Sequence, residues 1–117
     1  MSAMKYLFIF NDSPHGDQRA YNGLRLAVSL SRKAKIRVFL LGDGVICGLS
    51  GFTTAHANYN AQEMLRAISG TGAAIAACGA CMEARGIGPE SLISEVRRSS
   101  LDELVEWTEE AEKVISF

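Results

Sequence analysis

Lys5-Tyr6-Leu7-Phe8-Ile9-Phe10, followed at once by Asn11-Asp12-Ser13-Pro14-His15-Gly16, decides the fold class. The first six residues form a near-continuous apolar run, too short for a helix. Such a run reads as a strand buried on both faces, the signature of a parallel sheet covered by helices. The next six are turn formers and end the strand. A helix is expected from Asp17 to Lys33, with Ala20, Leu24, Ala27, Val28 and Ser31 as its inward stripe and Asp17 favourable at its positive end. Ile36–Leu41 is then a second strand.

Further along, Gly42-Asp43-Gly44 is a turn in which Asp43 is placed to cap a short helical segment over Val45–Leu49. Gly51–Asn58 reads as irregular. Asn60 with Glu63 resembles a capping box for a helix to Ser69, with Ala61, Met64, Leu65 and Ile68 at helical spacing. Gly70 and Gly72 stop it. Ala73–Cys78 is a third strand and Cys81–Arg85 a helical turn. Pro89–Ser94 is a short helix with Pro in the favoured first position, and Glu95–Arg98 an edge strand. Ser100 with Glu103 resembles a capping box for a helix over Leu101–Glu112, with the stripe Leu101, Leu104, Val105, Thr108 and Ala111. Lys113–Phe117 is the last strand. The alternation predicts one three-layer α/β/α domain over 1–117 with a mostly parallel five-stranded sheet, flavodoxin- or Rossmann-like. Met1-Ser2-Ala3 is expected to be a disordered start-site extension.

Composition agrees with a folded domain. Of 117 residues, 48% are hydrophobic and 21% charged, near the globular average. Twelve Lys and Arg against 13 Asp and Glu give a net charge of −1. The basic excess of a general nucleic-acid binder is missing, so no nucleic-acid partner is expected. No stretch reads as a secretory signal or a membrane span. Three cysteines in a chain read as unexported point to reduced thiols and a cytoplasmic location.

In parallel α/β sheets the site lies beyond the carboxyl ends of the strands. This directs attention to Asn11–Gly16, Gly42–Asn58 and Cys78–Gly88, with the first and third strands expected to be neighbours. Cys78-Gly79-Ala80-Cys81 is the sharpest feature there. A thiol where a strand gives way to a helical turn is expected to be biased towards thiolate by the helix end, with Arg85 as added positive charge. A thiolate can attack a disulfide, accept a sulfane sulfur or bind a metal, whereas two small buried cysteines would be inert core. A structural zinc site is disfavoured, because Cys47, Cys78, Cys81, His15 and His56 offer no second pair at finger spacing. No metal or cofactor is therefore expected. A thioredoxin-type exchanger would carry aromatic and Pro companions and follow the first strand. No Gly-x-Gly-x-x-Gly marks a dinucleotide site. Asn11, Asp12, His15 and Gly16, with Asp43 and Arg85, are the expected pocket wall. His15 suits proton donation, although an exposed loop histidine is an equally good reading. Cys47 reads as core, Trp107 and Phe117 as packing or interface, and Arg97-Arg98 as a solvated pair.

These motifs in order resemble the DsrE/DsrF-like family over essentially the whole chain from Met4, and most closely its YchN-type branch. The resemblance rests on Pro14-His15-Gly16, Leu40-Leu41-Gly42-Asp43-Gly44-Val45, Cys78 with Arg85-Gly86-Ile87, and Lys113-Val114-Ile115-Ser116-Phe117. It implies a homo-oligomer, a hexamer built as a dimer of trimers or a trimer of dimers. It also implies a sulfurtransferase-like carrier, with a persulfide on Cys78 and a protein sulfur donor or acceptor. Cys81 is not shared with the relay members, and its place suggests a resolving thiol that releases sulfide. A non-catalytic module binding a small ligand and a dithiol oxidoreductase stay open beside the carrier.

Overall fold

The computed structural model describes residues 3–52, 54, 56 and 59–117. Met1 and Ser2, expected in the extension, and Thr53, Ala55, Ala57 and Asn58, expected to be irregular, lie outside the described residues. Five strands alternate with helices: β1 (Lys5–Phe10), α1 (Arg19–Ser31), β2 (Lys35–Leu40), α2 (Ala61–Ser69), β3 (Ala74–Cys78), α3 (Gly79–Ala84), β4 (Val96–Ser99), α4 (Leu101–Glu110) and β5 (Lys113–Ser116). Two 3₁₀ segments, Gly42–Gly48 and Pro89–Ser91, replace the short helices expected at Val45–Leu49 and Pro89–Ser94. The helical turn expected at Cys81–Arg85 starts earlier, at Gly79.

The three-layer α/β architecture is as expected, and every strand pair is parallel. The strand order is β4-β3-β2-β1-β5, so β2 separates the first and third strands. Their expected adjacency is thereby corrected. From β1 to β4 each strand adds beside the last, and the connection after β4 then returns to the far side of β1. Right-handed crossovers put helices on opposite faces for the two directions. Gly23 of α1 packs against Phe10 on one face, and Trp107 of α4 meets Phe39 edge-on, with ring centroids 6.1 Å apart, on the other.

Alternation along the strands sorts the core. Phe8, Phe10, Val38 and Leu40 face α1 and α2; Leu7, Phe39 and Ala76 face α4. All are fully buried. The order reverses beside β1, where a crevice would open in a doubly wound sheet. Phe117 fills that place, its ring stacked 5.6 Å from Phe10 and 6.2 Å from Phe8.

Helix α2 follows its sequence pattern. Asn60 accepts from the N–H groups of Gln62 and Glu63, and Ala61, Met64, Leu65 and Ile68 are buried. Glu63 does not return the capping bond but pairs with Arg66. Helix α4 departs from expectation. Ser100 makes no side-chain cap, and the Glu103 carboxylate is taken by Arg97, at 2.6 and 2.7 Å, and by Ser99. Its inward face is Leu104 and Trp107; Leu101 and Val105 are exposed. The helix meets the sheet through a large ring rather than a row of aliphatics, and the stripe rotates accordingly. Arg97 lies over that ring, 5.7 Å from its centroid, and Arg98 pairs with Glu83. Both arginines are exposed, in keeping with a solvated pair, and each is also ion-paired.

The 3₁₀ segment after β2 is pressed onto the end of β1. Leu41 N–H donates to the Phe10 carbonyl at 2.8 Å, and a Cβ on Gly44 would sit 1.9 Å from that same oxygen. No side chain fits there. Gly44→Ala is expected to destabilise the fold by about 3 kcal/mol, at the upper end of overpacking costs. Urea denaturation measures this, and an unchanged midpoint would contradict the close approach.

Candidate functional site

Cys78 is the last residue of β3 and the N-cap of α3. A strand turning directly into a helix leaves the first helical N–H groups without backbone partners. The Cys78 sulfur takes one of them, accepting from Cys81 N–H at 3.3 Å. The Cys81 sulfur in turn accepts from Gly42 N–H at 3.1 Å. Gly42 has a φ of +57°, a conformation that suits glycine and turns the chain sharply at the end of β2. Arg85 reaches back across the same turn. Its Nε donates to Asp43 Oδ1 at 2.9 Å, its Nη2 forms an ion pair with the same oxygen at 2.8 Å, and its Nη1 donates to the Cys81 carbonyl at 3.0 Å.

Cys78, Cys81, Asp43 and Arg85 therefore come together as expected, joined by the Gly42 N–H, for which the sequence offered only a turn signal. Arg85 is spent on Asp43 and the Cys81 carbonyl, so it is not a free cation for Cys78. The expected bias of Cys78 towards thiolate is also corrected. Cys78 is 8% exposed as a residue, and burial raises its thiol above the ordinary value. The neighbouring Cys81 thiol adds to the rise, while the N–H groups of Cys81 and Ala80 pull the other way. Desolvation outweighs the N–H donation from α3, a helix of only six residues.

The first loop is directed elsewhere. Asn11 binds the Phe117 carbonyl through its backbone N–H at 2.7 Å and through Nδ2 at 3.2 Å. The Asp12 carbonyl accepts the Cys47 thiol at 3.6 Å. His15 bridges Gln18 Oε1 at 2.9 Å and the Tyr59 carbonyl at 2.7 Å. With Ser13, Pro14, Gly16, Ile46 and Tyr59, His15 lines a separate cleft of about 410 Å³ whose wall includes neither Cys78 nor Cys81. Asn11, Asp12, His15 and Gly16 are thus not shown as walls of a Cys78 pocket. Sequence reasoning missed Arg98: the Gly79 Cβ position lies 2.7 Å from its Nε. Glycine after Cys78 leaves room for that guanidinium, and an arginine on the expected edge strand was the available signal. Among the described residues, no three or more His, Cys, Asp or Glu side chains gather as a metal site.

The DsrE/DsrF-like family model matches residues 4–117. The chain belongs to this family. Among its DsrE-like relatives, protein YchN of Escherichia coli is 34% identical over 97% of this chain and 98% of its own. An uncharacterised protein of Methanopyrus kandleri is 34% identical over 93% of this chain and 90% of its own. The crystal structure of the Escherichia coli YchN protein superposes with a TM-score of 0.90 over 97% of this chain and 99% of that one. A Bacteroides thetaiotaomicron protein of unknown function shares the fold at a TM-score of 0.67 and 21% identity, over 97% and 95%. The DsrE-like family is associated with sulfur relay. No helix among the described residues is long and apolar enough to cross a membrane.

Cys47 is core, fully buried, and burial pushes its thiol up to about 12, with Asp12 adding to the rise. The folded chain holds this proton more tightly than the unfolded chain does. Its contribution to stability is complete below the ordinary value of 9.0 and is lost as pH climbs towards 12, at up to about 1.4 kcal/mol per pH unit. Urea denaturation of Cys47→Ala should show a shallower alkaline loss than the parent, leaving that of Cys78. Parallel curves for the two proteins would contradict the assignment.

Proposed function

We propose that the protein is a sulfur carrier: Cys78 holds a persulfide and Cys81 is its resolving thiol. The observation that carries this reading is the arrangement of the two cysteines on one turn, with the Cys81 N–H donating to the Cys78 sulfur. Membership of a family associated with sulfur relay supports it.

The Cys78 thiolate attacks the outer sulfur of a sulfane donor, and the donor's thiolate or sulfite leaves. The Cys81 thiolate then attacks the Cys78 sulfur. The bond to the outer sulfur breaks, sulfide departs with the electron pair, and a Cys78–Cys81 disulfide remains. The two cysteines have lost the electron pair that the sulfane sulfur gained. A low-molecular-weight thiol or a protein dithiol returns the pair to dithiol. In this reading a protein sulfur donor or acceptor docks at the carboxyl ends of β2 and β3.

Three free cysteines support a reducing, cytoplasmic setting. Exposed Leu101 and Val105 on α4, with Val114 on β5, are apolar surface that a homo-oligomer, such as a hexamer, would cover. The cleft beside His15 favours a second reading, a module that binds a small ligand without chemistry.

Intact mass after incubation with polysulfide separates these readings. The carrier gains one sulfur atom, Cys78→Ser gains none, and Cys81→Ser keeps the added sulfur longer. Normal loading of Cys78→Ser overturns the assignment. No loading of either the parent or Cys81→Ser leaves the ligand-binding module.

A further inference from the structure

We propose that Arg85 is the positioning residue for Cys81: held by Asp43, it fixes the Cys81 carbonyl and so sets the Cys81 sulfur between the Gly42 N–H and Cys78. This rests on the carrier reading for its chemical meaning and on geometry for its substance.

The first observation is how α3 ends. In a longer helix the Cys81 carbonyl would accept from the Arg85 backbone N–H. That N–H instead donates to the Met82 carbonyl at 3.0 Å, which leaves the Cys81 carbonyl without its helical partner. The Arg85 side chain takes its place at 3.0 Å. The second observation is where the rest of the guanidinium goes. Nε and Nη2 both meet Asp43, the residue next to the Gly42 that donates to the Cys81 sulfur. One planar group therefore links the turn carrying the donor N–H to the turn carrying the acceptor sulfur. A guanidinium can do this because its donors are fixed in a fork, which an ammonium lacks.

Stability does not account for this pair. Asp43 and Arg85 side chains are 61% and 32% exposed, and ion pairs so open to water stabilise a fold little. What the pair fixes is the placement of one sulfur. Resolution of a persulfide is an intramolecular displacement, and its rate depends steeply on approach; a misplacement of about 1 Å can cost about a hundredfold. Loading of Cys78 from outside does not use Arg85, so the two steps respond differently to its removal.

The test measures loading and release separately in Arg85→Gln, Arg85→Lys and Asp43→Asn. Polysulfide loading is read by intact mass, and sulfide release from the loaded protein by a sulfide electrode. Arg85→Gln and Asp43→Asn are expected to load as the parent does, melt within a few degrees of it, and release sulfide about tenfold to a hundredfold more slowly. Arg85→Lys should recover part of the rate. Unchanged release in Arg85→Gln overturns the proposal, as does an equal fall in loading and release. A second readout does not depend on sulfur chemistry. Oxidation by glutathione disulfide, followed by mass, gives the rate at which the mixed disulfide closes to Cys78–Cys81. Slower closure in Arg85→Gln with no polysulfide loading in any protein would sustain the positioning role while the carrier reading fails. Equal closure rates would sink the positioning role itself.

Discussion

The arrangement depends on two pieces of backbone approaching with nothing between them. The segment after β2 lies on the end of β1 so closely that the Phe10 carbonyl occupies the space of a Gly44 side chain. That contact, with the Leu41 hydrogen bond to the same oxygen, sets the height and direction of Gly42 and Asp43. From there the Gly42 N–H reaches one cysteine and Asp43 reaches the arginine that holds it. A core packing decision two strands away from Cys78 therefore determines what surrounds Cys81.

The two cysteines, three positions apart, are left in different physical states. Cys78 is a covered thiol at a strand end, where desolvation favours the neutral form. Cys81 is partly exposed and tethered at both ends, its sulfur to the β2 turn and its carbonyl to Arg85. A single short helix produces this difference because Cys78, its N-cap, is still the end of β3, whereas Cys81, its third residue, meets the neighbouring turn. The charged groups around it, Arg85 with Asp43 and Arg98 with Glu83, are already paired. Neither pair offers a free charge, and Arg85 also holds backbone, at the Cys81 carbonyl.

Much of the fold was legible because strand burial and helix capping are local. KYLFIF, IRVFLL and AAIAAC announce three central strands, and Asn60 announces the start of α2. What was not legible depends on distant partners. The inward face of α4 could not be read from spacing, since Phe39 recruits Trp107 and the aliphatic residues rotate outward. Nearer by, Arg97 of β4, six positions before Glu103, takes the carboxylate that a capping box would use. The strand order, too, follows from long-range choices that alternation alone does not encode. At the site, the cysteine pair and the Arg85–Asp43 neighbourhood were visible as motifs. The raised Cys78 thiol was not, because burial is a property of the assembled layers. His15 and Asn11 were drawn away by Tyr59 and Phe117, partners 44 and 106 positions distant along the chain.

The pairing of β5 with β1 also governs when the molecule can be finished. Strands β1 to β4 lie in the sheet in their order along the chain, each beside its predecessor. The open flank of β1 and the aromatic socket under Phe8 and Phe10 are completed only by the final strand and Phe117. The first strand therefore keeps one edge unpaired until residues 113–116 are available. Closing so long a loop is entropically costly, and until it closes an unpaired strand edge is an adhesive surface.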